Sequence, residues 1–295
     1  YPYCEWLRLP SFSTAKTAFV ALALLRLEQE YGPGVADLLI RDYLPETADS
    51  PGDWSGVTFG NALDMATGNF SSRGFMVDEE GRIFSEFFGV LTYDEKIAAA
   101  LDWPHSAPPG STWVYRSSDT FLLVAAMQNF LIAQRGQAAD IFRYVVESVY
   151  MPLGLGPGFF STARTADDGW NGLPLGASGL WWLPDDVARL GDFLNNSGGQ
   201  LAGVQLLDPA LLSAALQRDP SDRGLPIPGG SYKYSLWSQA FGPAQGFDCS
   251  FSVPYMAGYT GNIIALMPNG ITFYYFSDHR DFDWSSAVLE ADKIA

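Results

Sequence analysis

A chain of 295 residues, 47 % hydrophobic and 15 % aromatic, has ample material for a large core and suits one big domain or two interleaved lobes better than a string of modules. Its formal net charge of −16, with only 17 Lys and Arg, argues against nucleic acid or an anionic membrane surface as partner, because both would repel it. The longest apolar run, "TAFVALALL", is cut off by Arg26, Glu28 and Glu30 and is too short to span a bilayer, so a soluble protein is expected.

In chain order, helical spacing of apolar residues is clearest over 13–31, where Ser13 can cap the start and "YGPG" ends the run. "VADLLIRDYLPE" reads as a short helix leading into a turn, and "TFGNALDMATG" as a helix stopping at Gly68. Residues 71–92 mix glycine, charge and aromatics without a period and are expected to form a long loop. "TYDEKIAAALDW" is a helix ended by the "PHSAPPG" turn; "SDTFLLVAAMQNFLIAQRG" is a strong helix with a glycine stop, and another follows near 138–150. "PLGLGPG" and "DDGWNGLPLGASG" are turn-rich, and "LPDDVARLGDFLNNSGG" is a capped amphipathic helix. The last third changes character. "SYKYSLWSQAF", "NIIALMP" and "GITFYYFSD" are strand-like, the last two joined by the hairpin signal Pro268-Asn269-Gly270, and "DFDWSSAVLEADKIA" closes with a helix. The expected organisation is α+β over residues 1–295: the helix at 13–31, a helical lobe over roughly 35–225, and sheet strands with a final helix over roughly 230–295.

Ser13 and Lys16, three apart, share one face of a helix, which brings the ammonium near the hydroxyl. The first helical turn adds free N–H groups and a partial positive charge that can stabilise an anion there. A serine needs a base to become a nucleophile, and a lysine shielded from water can lose its proton near neutral pH. An exposed chance Ser-x-x-Lys is the competing reading. Ala15, Ala18, Phe19, Val20 and Leu22 argue against it, because they make this helix apolar on nearly every face, where a lysine is costly unless paired or used. In "PPGSTWVYRSSDTFLL" a turn delivers Tyr115 and Ser117 just before a helix, and a phenol between a lysine and a leaving group can carry a proton across. Taken alone, the motif favours the other reading, Tyr115 as a half-buried aromatic with Ser117 or Ser118 as cap. His105 and His279 are too few for a histidine metal site and are expected at the surface; no metal or cofactor is expected. Cys4 and Cys249 lack metal-type spacing, and both a disulfide in an exported protein and two separate thiols stay open. The chain opens without a basic-then-apolar signal peptide, so either one was removed or none existed.

"SFSTAK", "YLPE", "TFGNALDMATG", "PPGSTWVYRSSDTFLL", "GASGLWWLPDDVARLGDFL" and "MAGYTGNIIALMP" fall in the order and rough spacing of the serine β-lactamase-like hydrolases, over nearly the whole chain. "YRSSDT" and "MAGYTGN" resemble the esterase and 6-aminohexanoate-dimer hydrolase branch, related to class C β-lactamases. The resemblance implies a β-lactamase/penicillin-binding-protein-like α+β fold, an antiparallel sheet flanked by helices plus a helical lobe. It also implies Ser13 as acylated nucleophile, Lys16 as base and Tyr115 as proton relay. For the family's third motif "MAG" at 256–258 competes with "YTG" at 259–261; "MAG" is preferred because Gly258 and Gly261 then match both glycines. The oxyanion hole would be the backbone N–H groups of Ser13 and Tyr259, and Ser117, Trp181, Met256, Gly258 and Thr260 are substrate-binding candidates.

Three departures from the family accompany the match. Met256 stands where it carries Lys or His, and Ser117 where it often carries Asn. Tyr1 is only twelve residues ahead of Ser13, so the helix and strands that precede the nucleophile in the family are expected to be missing, leaving a fragment or an open sheet edge. The expected activity is hydrolysis of a small ester or amide through an acyl-enzyme. The alternatives are a β-lactamase or D-Ala-D-Ala peptidase, and a catalytically silent relative that binds a ligand. By analogy with relatives, a periplasmic or secreted location is favoured.

Overall fold

The computed structural model of the chain describes residues 7–167 and 171–294. A short strand β1 (Leu9–Pro10) leads into the nucleophile candidate's turn, after which the chain winds as a wide π-type stretch over Lys16–Ala21 and continues as α1 (Leu22–Tyr31). All six residues of the π-type stretch are buried, as expected for a helix apolar on every face. Gly32, at φ 96°, ends α1 in a conformation that side chains disfavour. Ser13 does not serve as the expected cap, since its hydroxyl is bound to Lys16 Nζ.

The helical lobe follows with α2 (Ile40–Tyr43), α3 (Phe59–Leu63), α4 (Tyr93–Leu101), α5 (Ser117–Arg135), α6 (Ile141–Val145) and α7 (Met151–Leu153). Thr58 with Asn61 and Thr92 with Glu95 form capping boxes at the starts of α3 and α4. Between α3 and α4 the structure corrects the sequence expectation. Residues 71–92 are not all loop: Glu79–Phe87 is a π-type helix whose Ile83 and Phe87 are buried beside α4 and α5. Gly81 and the charged residues around it hide a face carried by one apolar pair four apart.

Beyond α7 the chain forms β2 (Trp181–Trp182), which pairs antiparallel with β1, then α8 (Pro184–Asn196), the ribbon β3 (Gln200–Leu201) and β4 (Val204–Gln205), and α9 (Pro209–Ala215). The main sheet is built from β5 (Leu225–Ile227), β6 (Gly230–Lys233), β7 (Leu236–Phe241), β8 (Phe251–Gly258), β9 (Asn262–Leu266) and β10 (Thr272–Tyr275). Its order is β10-β9-β8-β7-β6-β5, every neighbour antiparallel. Alternation sorts the side chains. Leu236, Met256, Ile264 and Leu266 face the core shared with α1 and α5, while Val253, Ile263 and Ala265 face Trp284, Val288 and Ala291 of the closing segment and α10 (Ser285–Asp292). With both faces covered, β9 is buried along its whole length. No helix among the described residues is long and apolar enough to cross a membrane.

"SYKYSLWSQAF", expected as one strand-like run, is the β6–β7 hairpin. Its two-residue turn, Tyr234 (φ 44°) and Ser235 (φ 66°), is left-handed at both positions, a conformation that usually calls for Asn-Gly. Tertiary bonds hold it there: Tyr234 N–H donates to Asp64 Oδ1 at 2.5 Å, and Thr17 Oγ1 donates to the Ser235 carbonyl at 2.8 Å. Burial raises the Asp64 carboxyl to about 7, although Lys233 and the Tyr234 N–H oppose the shift. A carboxyl raised on folding favours the native state while protonated, and that contribution is lost as pH rises from about 4 through about 7. Asp64→Asn, which keeps the acceptor but not the charge, is therefore expected to gain stability relative to wild type over that interval, by on the order of 3–4 kcal/mol at most. Urea unfolding at a series of pH values measures it; a pH-independent difference between the two proteins contradicts the expectation.

Candidate active site

Ser13 sits in a tight turn closed by Thr14 N–H to the Ser11 carbonyl (3.2 Å), Ala15 N–H to Phe12 (3.1 Å) and Lys16 N–H to Ser13 (3.0 Å). Phe12, at φ 44°, is a bulky residue in the left-handed region, so this turn carries backbone strain. Distant segments impose the conformation. Ser11 N–H donates to the Leu180 carbonyl at 2.9 Å and Leu180 N–H returns a bond to Ser11 Oγ at 3.1 Å. Trp182 Nε1 donates to Thr14 Oγ1 at 2.9 Å, and Asn262 Nδ2 to the Pro10 carbonyl at 2.8 Å. The serine is thus clamped between β2 and the end of the main sheet.

Lys16 is 1 % exposed. Its Nζ lies 3.0 Å from Ser13 Oγ and 2.9 Å from Ser117 Oγ, and 4.8 Å from the centre of the Tyr115 ring. Burial lowers its pKa to about 8, against the opposing pull of the Glu79 carboxylate. Tyr115 is buried, and burial, with Glu79 next, holds its phenol well above the usual range. It is therefore a neutral group that can give and accept a proton, with its ring beside Lys16.

Ser117 opens α5. Its hydroxyl donates to Glu79 Oε1 at 2.5 Å and its N–H donates to Glu79 Oε2 at 2.7 Å. The Glu79 carboxyl is 4 % exposed and pushed up by burial, with Lys16 and the two Ser117 bonds opposing. Next to it, fully buried Arg116 pairs with Asp119 and donates to Thr67 Oγ1 at 3.1 Å, and Thr67 Oγ1 donates to Asp119 Oδ2 at 3.1 Å. Arg116 also stacks on Trp103 at 4.7 Å, so the approach to α5 is fixed from inside.

On the sheet side, Gly258 ends β8 against the serine's turn: a Cβ there would lie 2.8 Å from the Ser11 carbonyl oxygen and 3.3 Å from Thr14 Cγ2. Tyr259 follows with its ring edge-on to Phe12, centroids 5.9 Å apart. Among the described residues, the backbone N–H groups of Ser13 and Tyr259 are engaged in none of the loop and turn hydrogen bonds. Aromatic side chains pack on Tyr115 and on Tyr259. Trp113 and Trp237 pack on Tyr115, with Phe75 stacked on Trp113; Phe84 packs on Tyr259.

The structure brings together Ser13, Lys16, Tyr115, Ser117, Gly258 and Tyr259. It places three other candidates elsewhere. Met256 is buried in the core on the same face of β8 as Gly258; Trp181 is exposed on β2 opposite Pro10; the Thr260 hydroxyl donates to the Ser277 carbonyl at 2.7 Å. None of these three joins the hydrogen bonds around Lys16. Glu79 and the aromatic wall of Phe75, Trp113 and Trp237 were missed from sequence. The one available signal for Glu79 was the Ile83–Phe87 spacing that makes its segment helical. Among the described residues no group of three or more His, Cys, Asp or Glu is placed to hold a metal ion. His105 and His279 are exposed, as is Cys249, whereas Cys4 lies outside the described residues.

No family model and no curated protein matches the chain. Solved structures do. A Bacillus anthracis chain assigned as a 6-aminohexanoate-dimer hydrolase superposes with a TM-score of 0.69 at 18 % identity, covering 100 % of this chain and 73 % of that one. A D-stereospecific amidohydrolase from Streptomyces sp. gives 0.64 at 17 % identity, over 96 % and 86 %. A penicillin-binding protein homologue from Caulobacter crescentus gives 0.63 at 19 % identity, over 97 % and 82 %. The fold is that of the serine β-lactamase-like hydrolases. Gly258→Ala is expected to push the Ser11–Ser13 turn off its position and lower any Ser13-dependent turnover by about 100-fold, with the circular dichroism spectrum unchanged. Full activity in that variant would show that the close approach at Gly258 is not needed.

Proposed function

We propose that the chain is a serine hydrolase that acylates Ser13 and transfers the acyl group to water, acting on small esters or amides. The observation that carries this reading is the buried Lys16 amine held between the Ser13 and Ser117 hydroxyls, with the Tyr115 ring 4.8 Å from the same amine. In its neutral form Lys16 takes the Ser13 proton as Oγ attacks the substrate carbonyl carbon. The N–H groups of Ser13 and Tyr259 face the negative charge that develops on the carbonyl oxygen. Tyr115 gives its proton to the departing alcohol or amine and is replenished from the Lys16 ammonium, after which the C–O or C–N bond breaks. Water then attacks the acyl-Ser13 carbonyl by the reverse proton path, releasing the acid and restoring Ser13.

The substrate class follows from the walls of the site. Phe75, Trp113 and Trp237 on one side, with Phe12, Phe84 and Tyr259 on the other, suit an apolar acyl or leaving group. Met256, where related enzymes carry a cation, gives no charge to hold a substrate carboxylate, which favours simple esters and amides over β-lactams and D-Ala-D-Ala peptides. The amidohydrolase and 6-aminohexanoate-dimer hydrolase activities named for the structural neighbours fit the same class.

Ser13→Ala is expected to abolish p-nitrophenyl ester turnover and labelling by a fluorophosphonate probe, and peptide mapping of the labelled wild type should place the adduct on Ser13. Turnover retained in Ser13→Ala would identify another nucleophile. Tyr115→Phe is expected to slow amides by at least about tenfold more than activated esters, because an amine must be protonated to leave and a nitrophenolate need not. Equal losses on both substrates would remove Tyr115 from the relay.

A further inference from the structure

The mechanism above leaves one buried charged group unused. Glu79 touches neither Ser13 nor Lys16, yet both its oxygens are committed to Ser117, whose hydroxyl is also the second partner of Lys16. An uninterrupted hydrogen-bonded line therefore runs from Ser13 Oγ through Lys16 Nζ and Ser117 Oγ to Glu79 Oε1, with steps of 3.0, 2.9 and 2.5 Å.

The groups around Glu79 decide which cation answers it. From the π-type stretch comes Lys16; from α5 come Ser117 and Asp119, the latter paired with Arg116 and Thr67; the phenols of Tyr115 and Tyr232 complete the surroundings. On its own segment Asp78 accepts from the N–H groups of Ser71 and Ser72, and Glu80 is turned outward to Arg280. Lys96, from α4, donates to the Phe87 carbonyl at the far end of the Glu79–Phe87 helix. With Arg116 committed to Asp119, Lys16 is the cation that answers Glu79.

We propose that Glu79 is a positioning residue that shares a single proton with Lys16 through the Ser117 hydroxyl, a role that rests on the reading of Ser13 as the nucleophile activated by Lys16. In the transfer, a Lys16 N–H bond breaks and its proton forms a bond to Ser117 Oγ while the Ser117 O–H bond breaks and its proton passes to Glu79 Oε1. An ammonium and a carboxylate become an amine and a carboxylic acid, with no net change of charge or atoms. Rotation about the Cε–Nζ bond then turns the amine lone pair onto the Ser13 hydroxyl. Two separated charges on groups as buried as Lys16 and Glu79 are costly, and the neutral pair removes both. Burial drives Lys16 down and Glu79 up, toward that pair. The Ser117 bridge sets the geometry, since its N–H and O–H each hold one carboxyl oxygen and leave its own oxygen facing Lys16.

The test is the pH dependence of Ser13 acylation by a p-nitrophenyl ester. A proton shared by two groups gives a two-step rise with pH, the first when the site passes from two protons to one and the second when the last is lost. Glu79→Gln is expected to collapse this to one step, at least about one pH unit below the second step of wild type, because no carboxylate then holds the Lys16 proton. Glu79→Asp should keep both steps with a lower intermediate plateau. Profiles of one shape in wild type and Glu79→Gln, differing in height alone, would make Glu79 merely structural and overturn the proposal. A second readout needs no turnover: infrared spectra of unreacted protein with isotope-labelled glutamate, between the two steps, should show a protonated carboxyl band that is lost on the second. Its absence overturns the proposal even where Glu79→Gln does not fold. In Ser13→Ala the band should persist. A probe adduct on another serine would sink the nucleophile assignment and leave that band in place.

Discussion

A primary amine taken out of water is the constraint around which this molecule is organised. Left alone at 1 % exposure, Lys16 would cost several kcal/mol or give up its proton. It is tolerated because two hydroxyls meet it within 3.0 Å and an acid group stands one hydroxyl further on. The same arrangement that makes the lysine bearable sets an amine of lowered pKa beside the Ser13 hydroxyl. The Arg116–Asp119–Thr67 cluster and the π-type stretch at Lys16 hold that small polar island inside an apolar core.

The strained turn at Phe12 belongs to the same logic. A left-handed phenylalanine persists only where its neighbours over-determine it, and here they come from far away in sequence: Leu180, Trp182 and Asn262 bind the residues on either side. The turn is thereby held from several sides at the place where the Ser13 hydroxyl meets Lys16. Packing of Gly258 against Ser11 brings the Tyr259 N–H into the same neighbourhood, which an alanine would already crowd.

Much of this was legible from the residues. Ser13 and Lys16 meet because spacing of three on a helix is a local rule, and the buried character of their helix is written in its neighbours. The long helices and the closing strands follow from periodicity and glycine stops. What was hidden depends on tertiary contact. Glu79 sits in a segment whose apolar face is one pair of residues, diluted by Gly81 and by charge, and its meaning arises only where Ser117, 38 positions later, reaches it. The Tyr234-Ser235 turn has no turn-forming sequence, since Asp64 and Thr17 supply from outside what Asn-Gly would supply from within. Met256 was marked as a contact by its place in a motif, yet its side chain completes the core beneath the glycine that follows two residues on.

The long sequence separations of the bonds around the Ser13 turn have a consequence for how this part of the protein is lost. Ser11, Thr14, Lys16 and Thr17 are fastened to chain positions from 101 to 218 residues away. No local piece of the chain holds this cluster by itself, because its hydrogen bonds are made across long sequence separations. Local loosening at any of those distant segments would part the Ser13–Lys16–Ser117 contacts before the chain as a whole unfolds.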